Sequence, residues 1–400
     1  MKTREFLIAL SMLVSGMVAL PAGADDEHHF PQEATFRTLV KTDLNIEGLT
    51  GDNRGNLYTP GRATTASADC PVWRVNSDIE NPPLVVVGHI PAPCAPLGLA
   101  FDHAGKLFVT EPNTGTIFSF FPNAGAPPRA MAFASGVPGA NGVAFDEDGN
   151  LWTSDGVTGQ GRVWKIDTRG TVTEVFRVQP MANEVNLDAA NIGGVGRDVR
   201  TLPPGKITVL PGSRNAADTA GSQPLVANGL AFDKHGDLFV SDTARGAIWK
   251  VKLDRRGHLR SKTGCDTTFT DNTLCMENLF VAHPWLEGAD GIALDHDGNI
   301  WVSVNERNAI VVVTDKGRVI EVFRNAPNAT TRLRNGGPLE FPTSPFLSDR
   351  MLCTASSDGN RRDNSPNSAG EVDNPTGAFR GKISCMDHRL PSRGVPLPLR

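Results

Sequence analysis

The chain has 400 residues, of which 39 are lysine or arginine and 44 are aspartate or glutamate, so its formal net charge is −5. A protein without an excess of basic residues is a poor candidate for binding nucleic acid, and we expect no nucleic-acid partner. The hydrophobic fraction of 39% allows a large core, and closed all-β folds of this length often form one domain.

The N-terminal segment has the three parts of a secretory signal. Lys2 and Arg4 supply positive charge, residues 6–20 are mostly apolar, and small residues suited to cleavage occupy positions 22–24. We therefore predict a signal peptide at residues 1–24 and an exported protein, either periplasmic or secreted. A membrane anchor is the alternative, but the apolar run is short for a bilayer span, so we expect no membrane span after cleavage.

One phrase of twelve residues recurs along the mature chain. It reads NGVAFDEDGNLW from Asn141 and NGLAFDKHGDLF from Asn228. Further copies begin at Leu97 and Asp290, and a weaker copy begins at Glu47. Internal repeats at such periods predict a propeller, a solenoid or a similar array.

The copy that begins at Asn228 predicts the strands of one blade. A short apolar strand leads into a turn with Asp and Gly at residues 233–236. Two further strands follow at 237–242 and 247–251, and a fourth strand is visible after another copy, at 319–323. Four antiparallel strands make a propeller blade, which needs neighbouring blades to cover its faces.

Counting the copies gives five blades, and a degenerate sixth begins near residue 342. We predict an all-β fold, a six-bladed β-propeller of four-stranded antiparallel blades, with residues 25–400 as a single domain. The interval between the third and fourth copies is too long for one blade, so we predict an insertion at about residues 178–227. An extra blade around residues 205–210 is the alternative, and a second insertion is predicted at 356–376.

Six cysteines remain after the signal segment. They are Cys70, Cys94, Cys265, Cys275, Cys353 and Cys385. An even number in an exported chain predicts disulfides, and pairing each cysteine with the next along the chain is the simplest of fifteen connectivities. No two cysteines have the C-x-x-C spacing typical of a zinc site.

Several polar residues of the repeat have a structural explanation. Asp102, Asp146, Asp233 and Asp295 occupy the same turn in each copy, and turn geometry accounts for an aspartate there.

His283 precedes the fifth repeat, where we expect a loop histidine, with a place near the central channel as the alternative. The sequence contains neither G-x-S-x-G nor H-E-x-x-H, so neither serine-hydrolase nor zincin chemistry is supported.

The first position of the repeat is where we predict the functional site. Glu47, Asn141, Asn228 and Asp290 are equivalent by the repeat alignment, and equivalent positions on successive blades converge at one end of the channel. Two carboxylates and two amides are oxygen ligands that suit a hard divalent cation. The alternative is that Asn-Gly and Asp-Gly are turn pairs, although a turn does not favour the Glu.

With these repeats the chain resembles the gluconolactonase/regucalcin family of six-bladed propellers. The resemblance implies that Glu47, Asn228 and Asp290 hold one divalent metal, for which we expect calcium, with magnesium, manganese or zinc as alternatives. It also implies that Asn141 contacts the attacking water or the substrate, and that Asp290 doubles as a general base. Asn141 and Asp290 are therefore the predicted catalytic residues.

The chain departs from that family at one substrate-binding position. Sugar lactonases of the family carry an arginine two residues before the third-blade Asn, where this chain has Gly139, and no acidic partner is recognisable at residues 156–160. We therefore expect a monomeric, metal-dependent lactonase or related ester hydrolase that acts on a small-molecule lactone or ester and prefers apolar lactones over sugar lactones. The alternatives are a non-catalytic NHL-like propeller that binds a protein or glycan ligand, and a propeller lyase, which needs a channel histidine.

Overall fold

The fold is known from a computed structural model. It describes residues 30–31, 34–52, 54–62, 67–179, 227–267, 269–330, 334, 336–349, 351–357 and 381–395. The predicted signal peptide, most of both predicted insertions and the alternative extra blade lie outside these ranges.

Six antiparallel sheets form a six-bladed β-propeller, which confirms the predicted fold. Blade 1 contains Asn45–Ile46 (β2), Thr50–Gly51 (β3), Asn56–Arg62 (β4), Cys70–Asn76 (β5) and Val85–Ile90 (β6). Blade 2 contains Leu99–Phe101 (β7), Leu107–Glu111 (β8), Thr116–Phe120 (β9) and Met131–Ser135 (β10). Blade 3 contains Ala140–Phe145 (β11), Leu151–Asp155 (β12), Arg162–Ile166 (β13) and Val172–Arg177 (β14).

The second half of the ring repeats this order. Blade 4 contains Ala227–Phe232 (β15), Leu238–Asp242 (β16), Ala247–Val251 (β17) and Leu279–Ala282 (β18). Blade 5 contains Ala289–Leu294 (β19), Ile300–Val304 (β20), Ala309–Val313 (β21) and Val319–Arg324 (β22). Blade 6 contains Pro342–Ser348 (β23), Met351–Ser356 (β24), Lys382–Met386 (β25) and, as its outermost strand, Phe36–Lys41 (β1).

Helical structure is slight within the described ranges. The 3-10 helices there are Met276–Asn278, Pro284–Leu286 and Asn305–Arg307. In the same ranges, no helix has the length and apolar character needed to cross a bilayer.

The turn aspartates hold the hairpin between the first two strands of a blade. Asp146 Oδ1 accepts the backbone N–H groups of Asp148 and Asn150, and its Oδ2 accepts the buried indole N–H of Trp152 at 2.9 Å. Asp295 repeats this arrangement in blade 5 with Trp301. Asp146 and Asp295 therefore satisfy turn amides and an otherwise unpaired indole. Asp102 and Asp233 also accept turn amides, which confirms the structural role of all four.

The glycine of each repeat lies where neighbouring inner strands come closest. A Cβ built on Gly98, Gly142 or Gly229 lies 2.2 to 2.6 Å from the carbonyl oxygen of the first repeat residue in the next blade. No real Cβ approaches an oxygen so closely, so only glycine fits there. In blades 3 and 4 the Asn-Gly pair lies inside a strand, and the turn-pair alternative is wrong for them.

The three disulfides follow the simplest predicted pairing. Cys70–Cys94, Cys265–Cys275 and Cys353–Cys385 have Cα separations of 6.1, 5.4 and 4.0 Å. The third bridge joins facing residues of the neighbouring strands β24 and β25. The bridges therefore staple middle strands and loops and leave the innermost strands free to line the channel.

Candidate active site

A local irregularity in the inner strands carries the predicted site residues. In blades 3, 4 and 5 the strand pairing is interrupted at Asn141-Gly142, Asn228-Gly229 and Asp290-Gly291, and regular pairing resumes after them. An irregularity of this kind bends the strand and redirects its side chains, which is why bulges are frequent next to active sites. The polar residue and the glycine thus share one bulge, where the glycine allows the next blade to approach.

The fold brings the four predicted site residues together at one end of the channel. Asn141 Nδ2 donates to Glu47 Oε1 at 3.3 Å, although these residues lie 94 positions apart in the chain. Asn228 lies close enough to Asp290 to lower the pKa of its carboxylate. Asn141, Asn228 and Asp290 line a small open cavity, and Glu47 is joined to them through Asn141.

The two carboxylates of this ring disfavour each other's ionisation. Burial raises the pKa of Asp290 well above its ordinary value, and the nearby Glu47 carboxylate raises it further. Burial also raises the pKa of Glu47, while Arg62 and the Asn141 hydrogen bond partly offset that rise. Two buried like charges are stable together when a proton or a cation lies between them.

The donor set suits a hard divalent cation. Among the described residues no cluster contains three or more His, Cys, Asp or Glu side chains, so a metal here would need the amide oxygens as well as the two carboxylates. Asn228 Nδ2 donates to Thr243 Oγ1 at 3.0 Å, and the side-chain oxygen of Asn228 is the atom that would coordinate a cation. Glu47, Asn228 and Asp290 therefore fit the expected oxygen-only site.

A second layer of side chains supports the ring at a constant spacing of fifteen residues. Arg62 Nη1 contacts Glu47 Oε2 at 3.2 Å, Thr243 binds Asn228, and Asn305 Nδ2 donates to Asp290 Oδ2 at 2.8 Å. In blade 3 the equivalent residue is Gly156, where an added Cβ would lie 2.4 Å from Asn141 Nδ2. The spacing is constant because strand pairing places the end of each second strand beside the start of the first.

Three supporting residues and one further ring position were not predicted from the sequence. They are Arg62, Thr243, Asn305 and Thr343. Thr343 occupies the ring position of blade 6, and its hydroxyl donates to the Glu47 carbonyl at 2.6 Å, which closes the ring between the last blade and the first. The fifteen-residue offset, read off the repeat alignment, is the signal that finds the supporting residues.

His283 takes a structural role. Its Nδ1 accepts the backbone N–H of Trp285 at 3.1 Å and caps a 3-10 helix, and its ring contacts the Trp285 ring edge-on. It does not line the described cavities of the channel. The expectation of a loop histidine is therefore confirmed, and the alternative place near the channel is wrong.

Comparison with known proteins agrees with this architecture. The family model described as "SMP-30/Gluconolactonase/LRE-like region" matches residues 181–339. Lactonase drp35 of Staphylococcus haemolyticus is 22% identical over 268 residues, which cover 64% of this chain and 77% of that protein.

Solved structures extend the likeness to most of the chain. A calcium-binding protein, regucalcin, from Agrobacterium tumefaciens superposes with a TM-score of 0.57 and 17% identity, covering 92% of this chain and 98% of that one. A gluconolactonase from Xanthomonas campestris superposes with a TM-score of 0.50 and 15% identity, covering 88% and 89%. The chain is therefore similar in fold to the regucalcin and gluconolactonase propellers.

The structure explains why the family's sugar-binding arginine is absent. Gly139 has a φ of +78°, which L side chains rarely adopt, and a Cβ there would lie 2.3 Å from Asp155 Oδ1. Asp155 is fully buried, pairs with Arg162 at 2.9 Å and accepts from Thr158 within its own loop. The acid and the arginine near this position therefore bind each other, and position 139 has no room for a side chain.

A second cavity continues along the channel beyond the polar ring. Six apolar side chains lie two residues after each ring position and line both cavities: Leu49, Leu99, Val143, Leu230, Ile292 and Pro345. The walls of the second cavity include Phe101, Phe145 and Phe232. The polar ring thus borders an apolar chamber.

Proposed function

We propose that the protein is an exported, metal-dependent lactonase or related ester hydrolase with its active site at the polar ring. The observation that carries the proposal is the meeting of Glu47, Asn141, Asn228 and Asp290 at the mouth of the channel in a lactonase-like propeller. The lactonase relative supports the reaction class. The calcium-binding regucalcin supports calcium as the expected ion.

Glu47, Asn228 and Asp290 would hold the metal. When bound, a divalent cation supplies Lewis-acid polarisation of the lactone carbonyl. Asn305 holds Asp290 Oδ2, so the Asp290 carboxylate has a set orientation from which it takes a proton from the attacking water. Asn141, held by Glu47, orients that water or the substrate oxygen.

The substrate we propose is a small lactone or ester with an apolar substituent. Position 139 lacks the arginine that binds sugar hydroxyls in the family, and a side chain there would clash with Asp155. The apolar chamber next to the ring offers aliphatic and phenyl surface for an alkyl or aryl group. Apolar lactones should therefore be hydrolysed more efficiently than sugar lactones.

Export and a monomeric state belong to the same proposal. Three disulfides suit an oxidising compartment, periplasmic or extracellular, and the described residues contain no helix that spans a membrane. One chain contains the complete ring, so a second subunit is not needed to build the site.

The test is a comparison of kcat/KM for a sugar lactone and an alkyl lactone, with calcium and with a chelator. We expect the wild type to prefer the alkyl lactone and to lose activity with the chelator. Asp290→Ala should lose at least about 100-fold, because it removes a ligand and a proton acceptor. Asn141→Ala should lose less, because it removes only an orienting contact.

Two results would change the proposal in different ways. A folded, metal-replete wild type that hydrolyses none of the lactones or esters tried would favour the NHL-like binding propeller. Activity that persists in Asp290→Ala would leave a hydrolase but contradict the role given to this carboxylate.

A further inference from the structure

Arg62 is the charged member of the supporting layer. The residues that lie beside the other polar ring residues at this spacing, Gly156, Thr243 and Asn305, are uncharged. Arg62 ends strand β4, and its Nη1 lies 3.2 Å from Glu47 Oε2. A guanidinium thus stands directly beside a carboxylate of the proposed metal site.

Most of this guanidinium is uncommitted in the described part of the chain. Its side chain is 34% exposed, and the single contact with Glu47 uses one of five N–H donors. At 3.2 Å that contact is longer than the 2.7–2.9 Å typical of a charge-assisted hydrogen bond. Within the described residues, Arg62 therefore keeps donors available beside Glu47 while holding that carboxylate through one contact.

Two other arginines close to the ring end of their blades differ in this respect. Arg162 binds the fully buried Asp155 and also Thr158, and Arg245 binds the fully buried Asp242 and the carbonyl of Gln179. Their side chains are only 15% and 19% exposed. These two arginines hold loops, and Arg62 is the one placed to meet a ligand.

An arginine beside a metal ligand also has an electrostatic cost. Its positive charge repels a divalent cation a few ångströms away and competes with it for Glu47. A residue whose purpose was to hold Glu47 for the metal would be better uncharged, as Thr243 and Asn305 are for their partners. The charge therefore points to a ligand that is itself negative.

We infer that Arg62 forms a carboxylate subsite that binds the acid product of lactone hydrolysis. The inference rests on the proposed function. Water adds to the carbonyl carbon, the bond from that carbon to the ring oxygen breaks, and the ring oxygen takes up a proton. The new carboxylic acid then loses its proton and becomes a carboxylate. A guanidinium fork beside Glu47 matches that group in charge and in geometry.

The test is calorimetric titration of wild type, Arg62→Gln and Arg62→Lys with calcium and, separately, with 4-hydroxybutyrate, the ring-opened form of a simple lactone. Glutamine keeps a donor for Glu47 but removes the charge. We expect Arg62→Gln to bind the carboxylate about tenfold more weakly, with calcium or with chelator present, as loss of one charge-assisted hydrogen bond predicts. The same variant should bind calcium at least about threefold more tightly, because a repelling charge is gone.

Two controls make the outcome specific. Arg169→Gln makes the same change in net charge at a side chain that is 85% exposed and paired only with Asp167, and it should change neither affinity by more than about twofold. Arg62→Lys keeps the charge without the fork, and its carboxylate affinity should lie between those of the wild type and Arg62→Gln.

A ligand subsite and a purely structural role predict opposite changes in the calcium affinity of Arg62→Gln. If Arg62→Gln weakens calcium binding, Arg62 serves to position Glu47 and the inference is overturned. Unchanged carboxylate affinity in Arg62→Gln, or a wild type that does not bind the carboxylate, overturns it as well. None of these titrations depends on turnover, so a failure of the proposed hydrolysis is recognised separately by the lactone assays.

Discussion

Three of the ring residues contact a polar side chain that lies fifteen residues further along the chain. The Asp290 carboxylate accepts from the Asn305 amide, the Asn228 amide donates to the Thr243 hydroxyl, and Glu47 faces the Arg62 guanidinium. These partners lie at one offset in the repeat but differ in type. The residue at the ring position and its supporting partner therefore differ from blade to blade, while the spacing between them stays the same.

The residues proposed to hold the metal can be tested one charge at a time. Glu47→Gln and Asp290→Asn should each weaken calcium and manganese binding by at least about tenfold, because each removes one of two charges from an oxygen-only site. Asp148→Asn, at an exposed turn position, is the control and should bind like the wild type. Calorimetric titration measures this, and unchanged affinity in both ring variants would show that the ring is not the site.

A second prediction at the residue scale concerns Asp242. It is fully buried against Arg245 and the Trp249 indole, and burial raises its pKa to about 6. In the unfolded chain the pKa of an aspartate is near 3.9. Between about pH 4 and pH 6, Asp242 is therefore protonated more fully in the folded state than in the unfolded state. The contribution of Asp242 to stability is complete below about pH 4 and is lost as the pH rises through 6.

Asp242→Asn cannot titrate and should remove this pH dependence. The free energy of unfolding of the variant, relative to wild type, should rise by up to about 2–3 kcal/mol between pH 4 and pH 7. Urea unfolding of both proteins at four pH values measures the difference. A constant difference across this range would mean that burial does not raise the pKa of Asp242 in the folded protein.

At the scale of the strand, glycine sets how closely the blades approach the axis. A Cβ on Gly229 would lie 2.6 Å from the Asp290 carbonyl and 2.7 Å from Gly291 Cα, and neither backbone atom is free to move as a side chain is. The inner strands of blades 4 and 5 are therefore in direct backbone contact at the proposed site.

Gly229→Ala should accordingly destabilise the protein and disturb the site. We expect a loss of about 1–3 kcal/mol in the free energy of unfolding, typical of overpacking, together with weaker metal binding because Asp290 is displaced. Gly336→Ala is the matched control, because its added Cβ meets no heavy atom within 4 Å and should be nearly neutral. Denaturant unfolding compares the two, and equal stability would contradict the packing argument.

At the scale of the whole molecule, the ring is closed by strands from both ends of the described chain. Strand β1 pairs antiparallel with β25 and completes blade 6, whose inner strand β23 lies beside blade 1. The Cys353–Cys385 bridge crosses the same blade. Closure therefore joins distant parts of the sequence, and the disulfide supports the blade in which they meet.

The disulfides give a prediction for the protein as a whole. Protein exported to an oxidising compartment should contain no free thiol, which thiol counting under denaturing, non-reducing conditions measures. Reduction should lower stability, typically by about 2–4 kcal/mol for each bridge lost. Two or more free thiols in the exported protein would contradict the pairing.

The local sequence by itself was sufficient for the fold and for the first layer of the site. Alternating apolar residues and Asp-Gly turns set each hairpin locally, so five repeat copies and one degenerate segment predicted the blade count. The repeat alignment also marked Glu47, Asn141, Asn228 and Asp290 as equivalent. Sequential proximity was enough for the disulfides, because each bridge joins nearby segments of the chain.

Only the tertiary structure decided which groups meet around the axis. The closing strand β1 lacks the repeat phrase. It pairs with β25 and supplies the outermost strand of blade 6, which the rest of that blade does not contain. The repeat alignment gives the offset between Glu47 and Arg62, but the distance between their side chains depends on the strand pairing. The blocked space at Gly139 depends on how closely the Asp155 side chain approaches, which no local pattern specifies. Packing of six blades about one axis sets those distances, and with them the charges that surround the proposed metal.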